Sequence, residues 1–131
     1  MRHHLITVLC LLLAVSVHAA DDPTIPAQLK TDVQVAMNAH IDSNQSGGRF
    51  VIYDAVDGKL LRLQLKELHA GVVRKGEFYV SCADFADEMG AVVDVDFLVV
   101  RSDYGFRVLE GVVHKVGGKK RPYHLEENTH E

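Results

Sequence analysis

From Arg49 onward the chain is a succession of short runs rich in Val, Phe, Tyr and Leu, each closed by a glycine-containing turn. That pattern restricts most of the chain to successive antiparallel strands. Phe50 to Ala55 and Lys59 to Lys66 flank Asp57-Gly58, a dipeptide suited to a type I′ hairpin because both central residues take positive φ. Leu61, Leu63 and Leu65 alternate with Arg62, Gln64 and Lys66, which reads as a strand, although Leu61, Leu65 and Leu68 also mark one face of a short helix. Lys75-Gly76 then turns the chain into Glu77 to Ala86, and Glu88-Met89-Gly90 turns it into Ala91 to Arg101. Asp103-Tyr104-Gly105 turns it again into Phe106 to Val116.

Before these strands, Thr24 is an expected N-cap and Pro26 is tolerated in a first helical turn, where its missing N–H has no intrahelical partner to lose. Leu29, Val33, Ala36 or Met37, and His40 or Ile41 recur at helical spacing and make one apolar stripe. Asp42 to Gly48 has breaker chemistry and no periodicity, so it reads as a mobile connector. The expected fold is α+β, with one N-terminal helix packed on a curved antiparallel meander of five to six strands. That element order resembles the cystatin-like roll. Cystatin inhibitors carry a Gln-x-Val-x-Gly hairpin and a Pro-Trp loop, whereas Gln64-Leu65-Lys66-Glu67-Leu68 departs from the first and the chain has no Trp. The resemblance therefore implies architecture and not protease inhibition.

Met1-Arg2-His3-His4 is a short positive start, and Leu5 to Val17 is almost wholly apolar but short of a membrane span. Val17-His18-Ala19-Ala20 then supplies the small residues of a signal-peptidase site, so residues 1–20 read as a cleaved secretory signal and the product as periplasmic or secreted. Cys10 lies inside the apolar run, not after it, which argues against lipid anchoring. Cleavage leaves residues 21–123 for a single domain, with 124–131 as a polar, flexible tail. Of two Cys only Cys82 survives, so no intramolecular disulfide is expected in a compartment that permits one. Acidic residues outnumber Lys and Arg by 18 to 14, which disfavours nucleic acid as a partner, and no membrane association is expected after cleavage.

The candidate chemistry follows from strand pairing. A three-residue loop at Glu88-Met89-Gly90 pairs Asp87 with Ala91 and sets Phe85, Ala83, Ser81 and Tyr79 opposite Val93, Val95, Phe97 and Val99 on the core face. The other face then carries Asp84 opposite Asp94, Cys82 opposite Asp96 and Val80 opposite Leu98, and like charges across a ladder repel. The same loop geometry at Asp103-Tyr104-Gly105 brings His114 beside Asp94 and Val112 beside Asp96. A two-residue turn at Lys75-Gly76 makes Val73 meet Phe78 and His69 meet Cys82. Imidazole, thiolate and carboxylate are the usual ligands of divalent transition metals, so His69, Asp84, Asp94 and His114 form the expected metal set. In the plainer reading no cofactor is bound, His114 pairs with Asp94 and the carboxylates face water. Cys82 with His69 is also a possible nucleophilic pair, set against the ordinary reading of a strand Cys as a small buried residue.

The spaced pattern Cys82-Ala83-Asp84-Phe85, Asp94-Val95-Asp96-Phe97 and His114-Lys115-Val116 resembles small exported bacterial proteins of uncharacterised function, over residues 50 to 123. It implies no activity. His40 reads as a core-edge histidine, and Gly117 to Arg121 as a solvated turn and not a phosphate loop. The non-core face also carries Phe78, Val80, Leu98, Val100, Val108 and Val112, an apolar strip that calls for a protein partner or a second copy. The leading expectation is a non-catalytic binding module of unknown ligand, contacting it through Phe78, Val80, Cys82, Asp96 and Leu98. A metal-binding protein comes second, and an enzyme using Cys82 or a bound metal third.

Overall fold

The computed structural model describes residues 20–122. The expected signal segment up to residue 19, and the expected tail from 124, lie outside the described residues. The architecture is α+β, with one helix and an open antiparallel sheet of eight strands. Five strands are long: β2 (Arg49–Asp54), β3 (Lys59–Leu68), β5 (Phe78–Ala86), β6 (Val92–Ser102) and β7 (Gly105–Val116). Three are short edge pieces, namely β1 (Gln45–Ser46), β4 (Val73–Lys75) and β8 (Lys119–Lys120). The expected five to six strands are therefore too few, because two- and three-residue runs are too short to carry an alternation that can be read. The expected connector at Asp42 to Gly48 contains β1, which folds back on β2 through Gly47 and Gly48, both at positive φ.

The helix α1 runs Ala27–Ser43 and buries Val33, Ala36, Met37 and Ile41, a stripe at three- and four-residue spacing. Pro26 occupies the N-cap without a side-chain cap bond. Thr24 does not cap it, because its hydroxyl donates instead to Asp22 Oδ1 at 2.7 Å. At the other end the Asn44 N–H bonds the His40 and Ile41 carbonyls, and the Asn44 side chain also donates to the His40 carbonyl. The helix leans most heavily on β7 and also touches β6 and β5. Beneath it Phe50, Phe85 and Phe97 form one ring cluster, with centroids 5.3 Å apart for the stacked Phe50–Phe85 pair. The sheet curls around this core, so that Ile52 of β2 approaches Gly111 of β7 and Arg121, just past β8, reaches Asp54.

Strand order is β1-β2-β3-β5-β6-β7-β8, with β4 pairing β5 beside the end of β3. The β5–β6 ladder holds Tyr79 to Ala86 against Val92 to Val99 without a break, and Gly90 closes the expected three-residue loop. Three other turns differ from expectation. The β2–β3 loop has four residues, Ala55 to Gly58, with Gly58 alone at positive φ and Asp57 accepting from Arg121. Gly76 takes the first turn position, not the second, so Lys75 pairs with Phe78 and Val73 with Val80. Asp103-Tyr104 is a two-residue turn closed by Ser102 and Gly105. That last change slips β7 by one residue from Gly105 to Val108, so Val108 packs on the core rather than on the outer face, and a bulge at Leu109 then restores the expected pairing of Val112 with Asp96.

Candidate metal centre

The β5–β6 ladder places Asp84 opposite Asp94 and Cys82 opposite Asp96, on the face turned away from the helix. Two carboxylates facing each other across a ladder repel, so the arrangement persists only where cationic groups stand close. The described structure brings an imidazole from each flanking strand and the Lys115 ammonium from one of them.

His69 comes from the β3 side. A β-bulge between Leu65 and Glu67 leaves Lys66 as an extra residue and turns Glu67 to face Asp84. Pairing then carries one step past β3, where the His69 N–H donates to the Cys82 carbonyl at 2.9 Å. In the side chains, His69 Nδ1 lies 2.7 Å from Cys82 Sγ and His69 Nε2 lies 3.0 Å from Asp84 Oδ2. With Nε2–H donated to the carboxylate, the neutral ring leaves Nδ1 to accept the thiol proton or to ligate a cation. Cys82 is only 1 % exposed, and the imidazole is the side chain that couples it to Asp84.

His114 comes from β7, also by a bulge. Val113 pairs with Val95 and Lys115 pairs with Asp94, so His114 is the inserted residue. Two successive residues thus reach Asp94, which regular alternation forbids. His114 Nδ1 lies 3.6 Å from Asp94 Oδ2 and 3.4 Å from Asp96 Oδ1, and Lys115 Nζ lies 4.0 Å from Asp94 Oδ2. His114, Asp94 and Asp96 are all buried. Ligand atoms of His69, Cys82 and Asp94 lie within 4.8 Å of one another, and so do those of Asp94, Asp96 and His114. Asp94 belongs to both sets.

The outer set opens on a cavity of about 1010 Å³, whose rim includes Asp21, Lys30, Glu67 and Lys115. The chain leading into the helix forms one wall. Asp22 N–H donates to the Val72 carbonyl, Val72 N–H donates to Asp21 Oδ1, and Lys30 Nζ bonds both Asp21 oxygens. The Lys30 ammonium, with the Val72 N–H behind it, holds the Asp21 carboxyl below the usual carboxylate range.

His69, Cys82, Asp84, Asp94, Asp96 and His114 therefore share one face, and Asp84 stands behind His69, outside both ligand sets. Phe78 and Leu98 are half-buried and Val80 is buried, as are Cys82 and Asp96. Of the apolar strip, Val100 and Val112 are half-buried and Val108 belongs to the core side. Lys115, Glu67 and Asp21 were not legible as part of the site. Lys115 adjoins His114 but is on the wrong parity without a bulge, and nothing local connects Asp21 to Val72, 51 residues on. Comparison with family models, curated proteins and solved structures finds no match for this chain.

Proposed function

We propose that the protein is a small exported, non-catalytic binding module of cystatin-like form, periplasmic or secreted, whose ligand is a divalent transition-metal ion. The observation that carries this is the set His69 Nδ1, Cys82 Sγ and an Asp94 oxygen, within 4.8 Å of one another at a cavity. Nitrogen, sulfur and oxygen donors in one tight group suit zinc and its neighbours. Asp84 completes the arrangement from behind, since a ligating imidazole donates its other N–H to a carboxylate that fixes its orientation. A cation at this place also offsets the facing carboxylates of Asp84 and Asp94. Among the described residues no helix is long and apolar enough to cross a membrane.

Native mass spectrometry of protein purified without chelator from the export compartment tests this reading, because one spectrum reports leader cleavage, oligomeric state and bound metal. A stoichiometric metal that disappears when His69 and His114 are both replaced by Ala is the expected result. Unchanged metal content in that double variant overturns it. The same spectrum shows whether a second copy binds, for which the strip of Phe78, Leu98, Val100 and Val112 is the candidate surface.

The 2.7 Å contact between His69 and Cys82 favours one further reading, a thiol nucleophile activated by an oriented imidazole. Iodoacetamide separates the two. Rapid alkylation of Cys82 that added Zn²⁺ does not slow belongs to the nucleophile, whereas protection by stoichiometric Zn²⁺ belongs to the metal site.

A further inference from the structure

Two groups of ligands that share one carboxylate raise the question of how many ions the face holds. Two ligands about 2.1 Å from a tetrahedral ion stand about 3.4 Å apart, the length of a tetrahedral edge. His114 Nδ1 is 3.4 Å from Asp96 Oδ1 and 3.6 Å from Asp94 Oδ2, so the inner group already has the spacing of an ion's ligands. The outer group does not. His69 Nδ1 and Cys82 Sγ are 2.7 Å apart, closer than two ligands of one ion stand. An ion entering there displaces the thiol proton and spreads the two atoms by about 0.9 Å. The inner group is buried and the outer one opens on the cavity, so the two differ in access as well as in spacing.

The geometry points to a two-metal centre, in which the Asp94 carboxylate bridges an outer ion on His69 and Cys82 to an inner ion on Asp96 and His114. This rests on the metal-binding reading above and adds to it the second ion and the bridge. A carboxylate spans two ions by using one oxygen for each, and Asp94 belongs to both ligand groups. Asp84, Asp94, Asp96 and an ionised Cys82 gather more negative charge on one face than Lys115 offsets, which favours cations there.

Titration of the metal-stripped full chain with Zn²⁺ and Co²⁺ tests the centre, read by native mass spectrometry and by absorbance. The expected result is two ions per chain, with the thiolate-to-cobalt charge-transfer band complete after the equivalent that fills the outer position. Cys82→Ser should then lose the band and one ion, and His114→Gln should lose one ion and keep the band. One ion per wild-type chain, with the band present, overturns the two-metal centre and leaves the metal-binding reading standing. Absence of any bound ion overturns both. Two ions retained by His114→Gln also overturns the inner position, and if that variant fails to fold, the wild-type count decides alone.

Discussion

His69 stands between Cys82 and Asp84, with its two ring nitrogens 2.7 Å from the thiol and 3.0 Å from the carboxylate. Asp84 therefore acts on whatever the Cys82 end binds without touching it. Asp84→Asn keeps the side-chain size but removes the charge that orients the ring. Zn²⁺ affinity, measured by competition with a chelating dye, should fall about 10- to 100-fold while the melting temperature changes little. An unchanged affinity removes Asp84 from the site.

Arg121 fastens the far ends of the curled sheet. Its Nη2 donates to Asp54 Oδ2 at 2.6 Å and to Asp57 Oδ2 at 3.0 Å, and Asp54 is fully buried. The guanidinium also holds the exposed Asp57 carboxyl below the usual carboxylate range. Arg121→Ala should cost about 3 kcal/mol in urea unfolding, because it strands a buried carboxylate. Asp57→Ala removes only the exposed partner and should leave the urea midpoint close to that of the wild type.

Gly71 lies where the chain leading into the helix crosses the loop after β3. A Cβ there would come within 3.2 Å of Asp21 Cβ and, in the chain that still carries its leader, would also run into the Ala20 carbonyl oxygen. Gly71→Ala should displace that segment, break the Asp22–Val72 hydrogen bond and cost about 1–3 kcal/mol. Hydrogen exchange at the Asp22 and Val72 amides reads the displacement directly. Protection equal to wild type is the result that refutes it.

His40 sits edge-on to Phe50 and Phe97, with ring centroids 5.9 Å away in each case. Burial pushes its pKa below 6.5, against a smaller opposing pull from Glu110. The unfolded chain therefore takes up a proton more readily than the folded one. This contribution to stability is complete above the unfolded pKa and is lost as pH falls from about 6.5 through the folded value. Urea midpoints taken between pH 8 and pH 5 should fall less steeply for His40→Gln than for the wild type.

Phe97 belongs to the aromatic cluster and is fully buried, in contact with the rings of Phe50, Phe85 and the helix residue His40. Phe97→Ala should cost about 3–5 kcal/mol by transfer and cavity formation together, seen as a large drop in the urea midpoint. Phe106, half-buried under Arg101 at 4.7 Å, should cost much less when truncated.

The long strands and the helix were legible because their periodicity spans many residues, and the β5–β6 register followed from one loop whose glycine takes the left-handed position. That register alone brought Asp84 to Asp94 and Cys82 to Asp96. His69 reaches Cys82 by extension of β3 and not through the Lys75-Gly76 turn, so the right neighbour was inferred by a wrong route. Turn lengths at Ala55–Gly58 and Asp103-Tyr104 differ from expectation by one or two residues, and nothing local marks the difference. Bulges at Lys66, Leu109 and His114 were illegible for the same reason: an inserted residue looks like any other until the partner strand is in place.

The bulge at His114 means that the candidate centre depends on a defect in the ladder. A sheet prefers unbroken pairing, and shortening β7 by one residue there would repair the hydrogen bonding while turning the site's imidazole or its lysine away from Asp94. Among chains descended from this one, loss of the site need not show as a changed ligand at all. A single-codon gap in the last long strand would leave every Asp, Cys and His69 in place on a sheet no less sound, with the inner half of the centre erased.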